Sequence, residues 1–214
     1  MSKTCKTSSK KSKKQQNGGV DGRRLRRERG RAAVIDALFE LLLEGRPTPG
    51  SDELARRAGV SEASVFRYFD NLDDLYLRAF QAFQERYAPL LSIPKTGQGT
   101  RTERITAFVR ARIHYYEMSA PILAAGRARA IHTGRPEMMS MGRQLRVDQV
   151  RGQFGVELAG VSTTRAADLV ASIDTLAGAE AWDALRDHHA RSREQIRRMW
   201  TRNIDAVITA WCDG

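Results

Sequence analysis

Apolar residues recur every three or four positions through most of the chain, and no segment alternates apolar with polar at the period of two that marks a strand. From Arg23 to Glu44 the positions Ala33, Val34, Ala37, Leu38, Leu41 and Leu42 make one helical stripe, which Gly45 stops before a loop with prolines at 47 and 49. Ser51 is a plausible N-cap for the next helix, with Asp52 and Glu53 suiting its positive end. A tight turn at Gly59 follows, then a second short helix capped by Ser61 with Glu62 in its first turn. Asp70 or Asn71 caps a longer helix whose Leu72, Leu75, Tyr76, Ala79, Phe80, Phe83 and Tyr87 form a broad apolar face. Beyond Pro94 the pattern predicts helices at about 101–118, 121–131, 136–156, 163–188 and 192–211, with Pro121 and Pro136 near helix starts, where a missing N–H costs least. The fold class is therefore all-α, with a small N-terminal unit and a larger helical body. The divisions are a basic arm over 1–22, expected to be disordered, a helix-turn-helix unit over 23–71, and the body over 72–214.

Residues 51–70, SDELARRAGVSEASVFRYFD, carry the most information. Two short helices joined by a tight turn form the layout that sets a helix into the DNA major groove. Ala55 is small enough for close approach of the second helix. Gly59 can take the left-handed conformation that ends the first. Leu54 and Val65 face inward and fix the angle between the two.

Charge sharpens this picture. The formal net charge is +11 and the isoelectric point about 10.2, which points to a polyanionic partner. Residues 1–31 hold twelve Lys and Arg against Asp21 and Glu28, whereas the rest of the chain carries 24 basic against 23 acidic residues. The excess is thus a terminal feature, and the body is nearly neutral. Cys5 and Cys212 lie at opposite ends, with neither a disulfide framework nor zinc spacing, as suits a reducing cytosol. The basic start lacks the apolar stretch of a signal peptide, and no run approaches the ~18 apolar residues of a membrane span. The expectation is a soluble, cytoplasmic protein with no membrane partner.

Over residues 29–83 the pattern resembles the TetR/AcrR family of bacterial regulators. The matching segments are a first helix ending LFELLLEGRPT, then DELARRAGVS, then SVFRYFDNLDDLYLRAF. AWDALR at 181–186 and the closing IRRMWTRNIDAVITAW look like the dimer helices of such proteins. The resemblance implies a homodimeric regulator of transcription, more often a repressor than an activator, that binds double-stranded DNA at a near-palindromic operator and is released by a small-molecule effector. Two positions depart from the family pattern: Phe66 stands where a Tyr commonly donates to a phosphate, and Leu72 where a Lys commonly meets the backbone.

Residues predicted to meet DNA are Thr48, Ser51, Ser61, Glu62, Ala63, Ser64, Arg67 and Tyr68. Short Ser and Ala side chains let a helix sit deep in the groove and touch base edges or thymine methyls, and Arg67 is the one long donor. Tyr68 suits a phosphate, which fixes register and carries no sequence information. Ser51 and Thr48 can place backbone N–H groups on phosphate, while plain helix capping is an equal reading for Ser51 and Ser61. Phe66 and Phe69 are expected to pack in the core. The arm can add phosphate or minor-groove contacts, serve as an inert solubilising tail, or be an expression remnant.

In the last two helices Ile173, Trp182, Ile196, Trp200, Ile204, Val207 and Trp211 fall on apolar stripes, expected to form a four-helix dimer bundle or else the monomer's own core. In the body, where the family binds its effector, Phe83, Tyr87, Phe108, Tyr115, Met118, Met138 and Phe154 are pocket candidates, each taken individually being better suited to core packing. No metal and no cofactor is expected: His188 and His189 are adjacent rather than a turn apart, and no P-loop, GxGxxG, GxSxG or HExxH motif occurs. Catalysis is not expected. The competing function is a non-specific or architectural DNA-binding protein that works through its basic arm.

Overall fold

The computed structural model describes the backbone of residues 17–212, and side chains from Gly22 onward except those of Glu137, Met138 and Met141. Most of the basic arm, residues 1–16, lies outside the described residues. All regular structure among the described residues is helical.

Helix α1 (Asn17–Leu43) starts inside the segment expected to be arm. Its first half is exposed from Arg23 to Arg29, while Val34, Ala37, Leu38, Phe39, Leu41 and Leu42 in its second half are buried. Helices α2 (Ser51–Ala58) and α3 (Glu62–Tyr68) pack on that buried half. Gly59 between them is left-handed (φ 67°), and the Val60 N–H reaches back to the Ala55 carbonyl at 3.0 Å, closing the end of α2. Leu54, Ala55, Val65 and Phe69 point inward as expected.

Helix α4 (Leu72–Tyr87) is capped by Asn71, whose side chain accepts from the Asp74 N–H at 2.9 Å. It leads through a 3-10 turn (Ala88–Leu91) to α5 (Arg101–Thr133), a single 33-residue helix that opens with a Thr100–Glu103 capping box. The predicted break before Pro121 does not occur. Proline inside a helix costs roughly 3 kcal/mol. Around Pro121 that cost is outweighed by burial of Tyr115, Tyr116, Ile122, Leu123 and Ala125 on one continuous face. The helix ends instead at Gly134, left-handed with φ 64°.

The remaining helices are α6 (Ser140–Gln153, after a 3-10 turn over Pro136–Met139), α7 (Gly155–Ala159), α8 (Thr163–Leu176), α9 (Ala179–Asp183, running into a π-helical turn over Ala184–His188) and α10 (Arg193–Cys212). The segments expected as single helices over 136–156 and 163–188 are thus each subdivided. Helix α5 is the axis of the body, with α4, α6, α9 and α10 packed around it. Arg112, fully buried on α5, ties three helices together. It donates to Gln149 Oε1 (2.6 Å) and the Arg146 carbonyl (2.7 Å) on α6, and to Asp174 Oδ1 (3.2 Å) on α8.

Candidate nucleic-acid interface

Helix α3 has a buried edge and a bare one. Val65 and Phe69, four apart, occupy the inward side, leaving Ser61, Glu62, Ala63, Phe66 and Arg67 exposed. Ser61 caps the helix, its hydroxyl accepting from the Ser64 N–H at 3.2 Å. Ser64 does not stand free for base contact as expected: it is buried, its hydroxyl 2.9 Å from Ser61 Oγ and accepting from Arg67 Nη2 at 2.8 Å. The serines therefore brace the helix, and Arg67 begins from a fixed position.

Two further expectations change. Gly50, not Ser51, is the N-cap of α2, and Ser51 is its first residue. The Ser51 hydroxyl instead donates to Glu62 Oε1 at 2.5 Å, latching the start of α2 to the start of α3. Phe66, expected in the core, is 53% exposed. The sequence contains the reason: with Val65 and Phe69 fixing the inward side, a residue one position after Val65 is turned about 100° away from it. Thr48 is exposed in the loop before α2.

Tyr68 is half-buried against α1. A Cβ on Gly30 would fall 2.4 Å from its hydroxyl oxygen, so the ring lies directly on the glycine. The Arg67 guanidinium covers that ring at 5.4 Å, and Arg27 of α1 donates to the Arg67 carbonyl at 3.2 Å. Sequence reasoning missed Arg27 and Gly30 because nothing local ties them to a motif forty residues on.

The charge of the unit is largely paired. Arg57 forms a two-pronged bond to Glu44 (2.7 and 2.8 Å) that holds this carboxyl below its usual range, and also meets Glu40. Arg46 pairs with Glu53 at 3.0 Å and Arg56 with Asp52 at 3.2 Å. By contrast Arg26 and Arg29, exposed on the first half of α1, have no ion pair among the described residues. Positive charge free to meet phosphate therefore sits at the α1 end of the unit, beside the C-terminal end of α3.

Residues 48–79, spanning α2, α3 and the first half of α4, match the bacterial regulatory proteins of the tetR family. The match is confined to that segment, which has the character of a tetR-type DNA-binding unit. A match of this kind supports a DNA-binding role in the regulation of transcription. No curated protein matches the chain in sequence. The fold of the chain is similar to that of a tetR-family transcriptional regulator from Streptomyces coelicolor (TM-score 0.69, 20% identity, 87% of this chain and 84% of the other). It is also similar to a transcriptional regulator from Rhodococcus sp. Rha1 (TM-score 0.59, 23% identity, 86% and 96%). No helix among the described residues is long and apolar enough to cross a membrane.

The helical body rearranges the other candidates. Of the pocket set, Phe83, Tyr87, Phe108, Tyr115 and Phe154 are buried in the aromatic core, Met118 is 47% exposed on the outside, and the Met138 side chain lies outside the described residues. Rings run from Phe83 to Tyr115 (6.3 Å), Tyr116 (5.3 Å) and Trp200 (6.1 Å), joining α4 to α10 through α5. Of the dimer set, Ile173, Trp182, Ile196, Trp200 and Ile204 are buried within the single chain, so they build its core and have no side chain to offer a partner. Only Val207 and Trp211 remain half-exposed. Amphipathic spacing showed which face is buried, and it cannot distinguish burial inside one chain from burial between two.

Proposed function

We propose that the protein is a homodimeric transcriptional repressor that binds a near-palindromic operator through paired α3 helices and releases it when a small molecule occupies the helical body. The observation that carries the reading is the bare edge of α3, where Ala63, Phe66 and Arg67 stand out beside the unpaired arginines of α1. Ala63 and Phe66 offer apolar contact to thymine methyls and Arg67 a donor to guanine, while Arg26 and Arg29 reach phosphate.

Dimerisation rests on a different set of residues from the buried stripes. Helices α8 and α10 pack side by side. Each carries one outward stripe of small residues: Thr164, Ala167 and Ala171 on α8, and Asn203, Ala206 and Ala210 on α10, with Met199 beside them. Small side chains let two such pairs approach closely across a twofold axis.

Release follows from linkage. Helix α4 begins next to α3 and ends in the aromatic core, and its first turn is held to α5 by the Asp73–Arg129 ion pair. A ligand that prefers another setting of α4 lowers operator affinity by the factor by which the operator lowers ligand affinity. Selection of bound duplexes from a random pool, followed by footprinting, tests the reading. The expected result is one palindrome with half-sites about 34–36 Å apart, or a multiple of that spacing. Uniform protection would instead establish the architectural alternative.

A further inference from the structure

Three arginines are buried in the helical body, and only two have a counter-charge. Arg104 pairs with Glu157, and Arg112 with Asp174 at 3.2 Å. Arg146, 8% exposed on α6, pairs with no carboxylate among the described residues, and its Nε has no hydrogen-bond partner. Its guanidinium meets the Tyr115 hydroxyl, but burial pushes that phenol up to about 12, so Tyr115 is neutral at physiological pH and supplies no negative charge. A buried charge left without a partner is among the most costly arrangements a core can hold.

A second unmet donor faces the same place. Gln84 on α4 is 6% exposed, and its Nε2 has no partner. A Cβ on Gly142 would fall 2.8 Å from that nitrogen, so the carboxamide points at α6 where α6 has no side chain. Gly142 precedes Arg146 by one helical turn, which sets both donors over one face of α6. Apolar groups flank them. Phe80, one turn before Gln84, and the Met139 sulfur both lie against Gly126 of α5. Met139 is also a wall of a cleft of about 290 Å³ at the end of α5, lined further by Ile131, Pro136 and Arg143. Ile131 is 82% exposed there, and Arg143 has no ion pair among the described residues.

We propose that this interior is the receptor for an amphiphilic carboxylic acid, which enters past Met139 and places its carboxylate on Arg146 and Gln84 between α4 and α6. The inference rests on the effector reading above and gives it a ligand class. A guanidinium and an amide N–H both donate to a carboxylate, and the apolar body of the acid replaces water against Phe80 and Met139. Because Gln84 belongs to α4, the carboxylate acts on the same helix that begins beside α3.

The full chain is titrated by calorimetry with decanoate and with 4-phenylbutyrate, each against its methyl ester, and melting temperature is followed in parallel. At least one acid is expected to bind and to raise the melting temperature, while its ester does neither. Arg146→Met weakens that acid at least tenfold, and Gln84→Leu weakens it by a smaller factor. Arg146→Met removes an unpaired buried charge and is expected to melt no lower than the parent. Should it fail to fold, Arg146→Lys, which keeps the charge but loses the planar fork, must still weaken the acid. Failure of both acids to bind, or binding indifferent to every Arg146 variant, overturns the proposal. An acid that binds through Arg146 yet leaves operator affinity unchanged upholds this site and overturns the effector reading instead.

Discussion

The DNA-reading unit and the helical body spend positive charge in opposite ways. In the unit, arginines lie toward the surface and several are held by neighbouring carboxylates: Arg57 by Glu44 and Glu40, Arg46 by Glu53, Arg56 by Asp52. Exposed pairs of this kind are screened by solvent and contribute little, so they shape the surface more than they stabilise it. In the body, Arg104 and Arg112 are buried, and Arg112 satisfies its donors across α6 and α8. The unit can lose a pair and keep its fold, because α1, α2 and α3 close over Leu54, Val65 and Phe69. In the body, one guanidinium, that of Arg112, ties α5 to both α6 and α8. On the proposed reading, what meets DNA is what the unit leaves without a carboxylate, Arg26 and Arg29 among it, together with the bare edge of α3.

That contrast can be broken most forcefully at Arg112. Replacing it with Ala strands Asp174 and Gln149 in the interior, and urea denaturation is expected to show a loss of about 3–5 kcal/mol. A loss below about 1 kcal/mol would mean the body does not depend on this junction. In the unit, Gly30→Leu drives a side chain into the Tyr68 ring. The collision displaces α3 from α1, and operator affinity is expected to fall at least a hundredfold while the body's near-ultraviolet aromatic spectrum is unchanged.

A smaller effect is expected from Phe66→Ala. The side chain is exposed and supports no core, so the melting temperature stays within about a degree of the parent while operator affinity falls about tenfold, or 1.4 kcal/mol. Equal losses of stability and affinity would return Phe66 to a packing role. Smaller again is the double variant Arg26→Ala, Arg29→Ala. Each phosphate contact contributes about −0.9 to the slope of log affinity against log salt, so the slope flattens by about 1.8 with site preference unchanged.

The same two regions differ in how much of them could be read in the chain itself. The unit was legible because its determinants are a few residues apart: Gly59 ends α2, Ser61 caps α3, and Val65 and Phe69 mark the inward side. Its misreadings were local as well. Ser64 looked like a free hydroxyl and is part of the cap, and Phe66 looked like core and is turned outward. The body was legible only as helix after helix. Pro121 read as a helix start because local propensity disfavours it inside one, and burial on both sides overrides that preference. Trp182 and Trp200 read as interface because an apolar stripe reports burial and does not say against what. Arg112 bonds to Asp174 sixty-two positions away, and no spacing rule connects them.

One pH effect distinguishes the regions at the lowest amplitude. Burial, against the pull of Arg127, raises the Asp183 carboxyl at the end of α9 above its ordinary value. The folded state then holds this proton more tightly than the unfolded chain. Its contribution to stability is present below the unfolded pKa and is lost as pH rises through the folded one. Asp183→Asn is expected to remove that component from a melting-temperature profile taken between about pH 3 and 7. A profile unchanged by the substitution would show that Asp183 titrates alike in both states.

On the proposed reading, two copies of the α3 edge read one palindrome together. That is tested most directly by comparing affinity for the selected duplex with affinity for the same duplex carrying one scrambled half-site. Cooperative reading predicts that scrambling one half drops affinity close to the non-specific level, at least a hundredfold, with two chains bound to the intact duplex. Equal affinity for the two duplexes, or a single chain bound to the intact one, would contradict it.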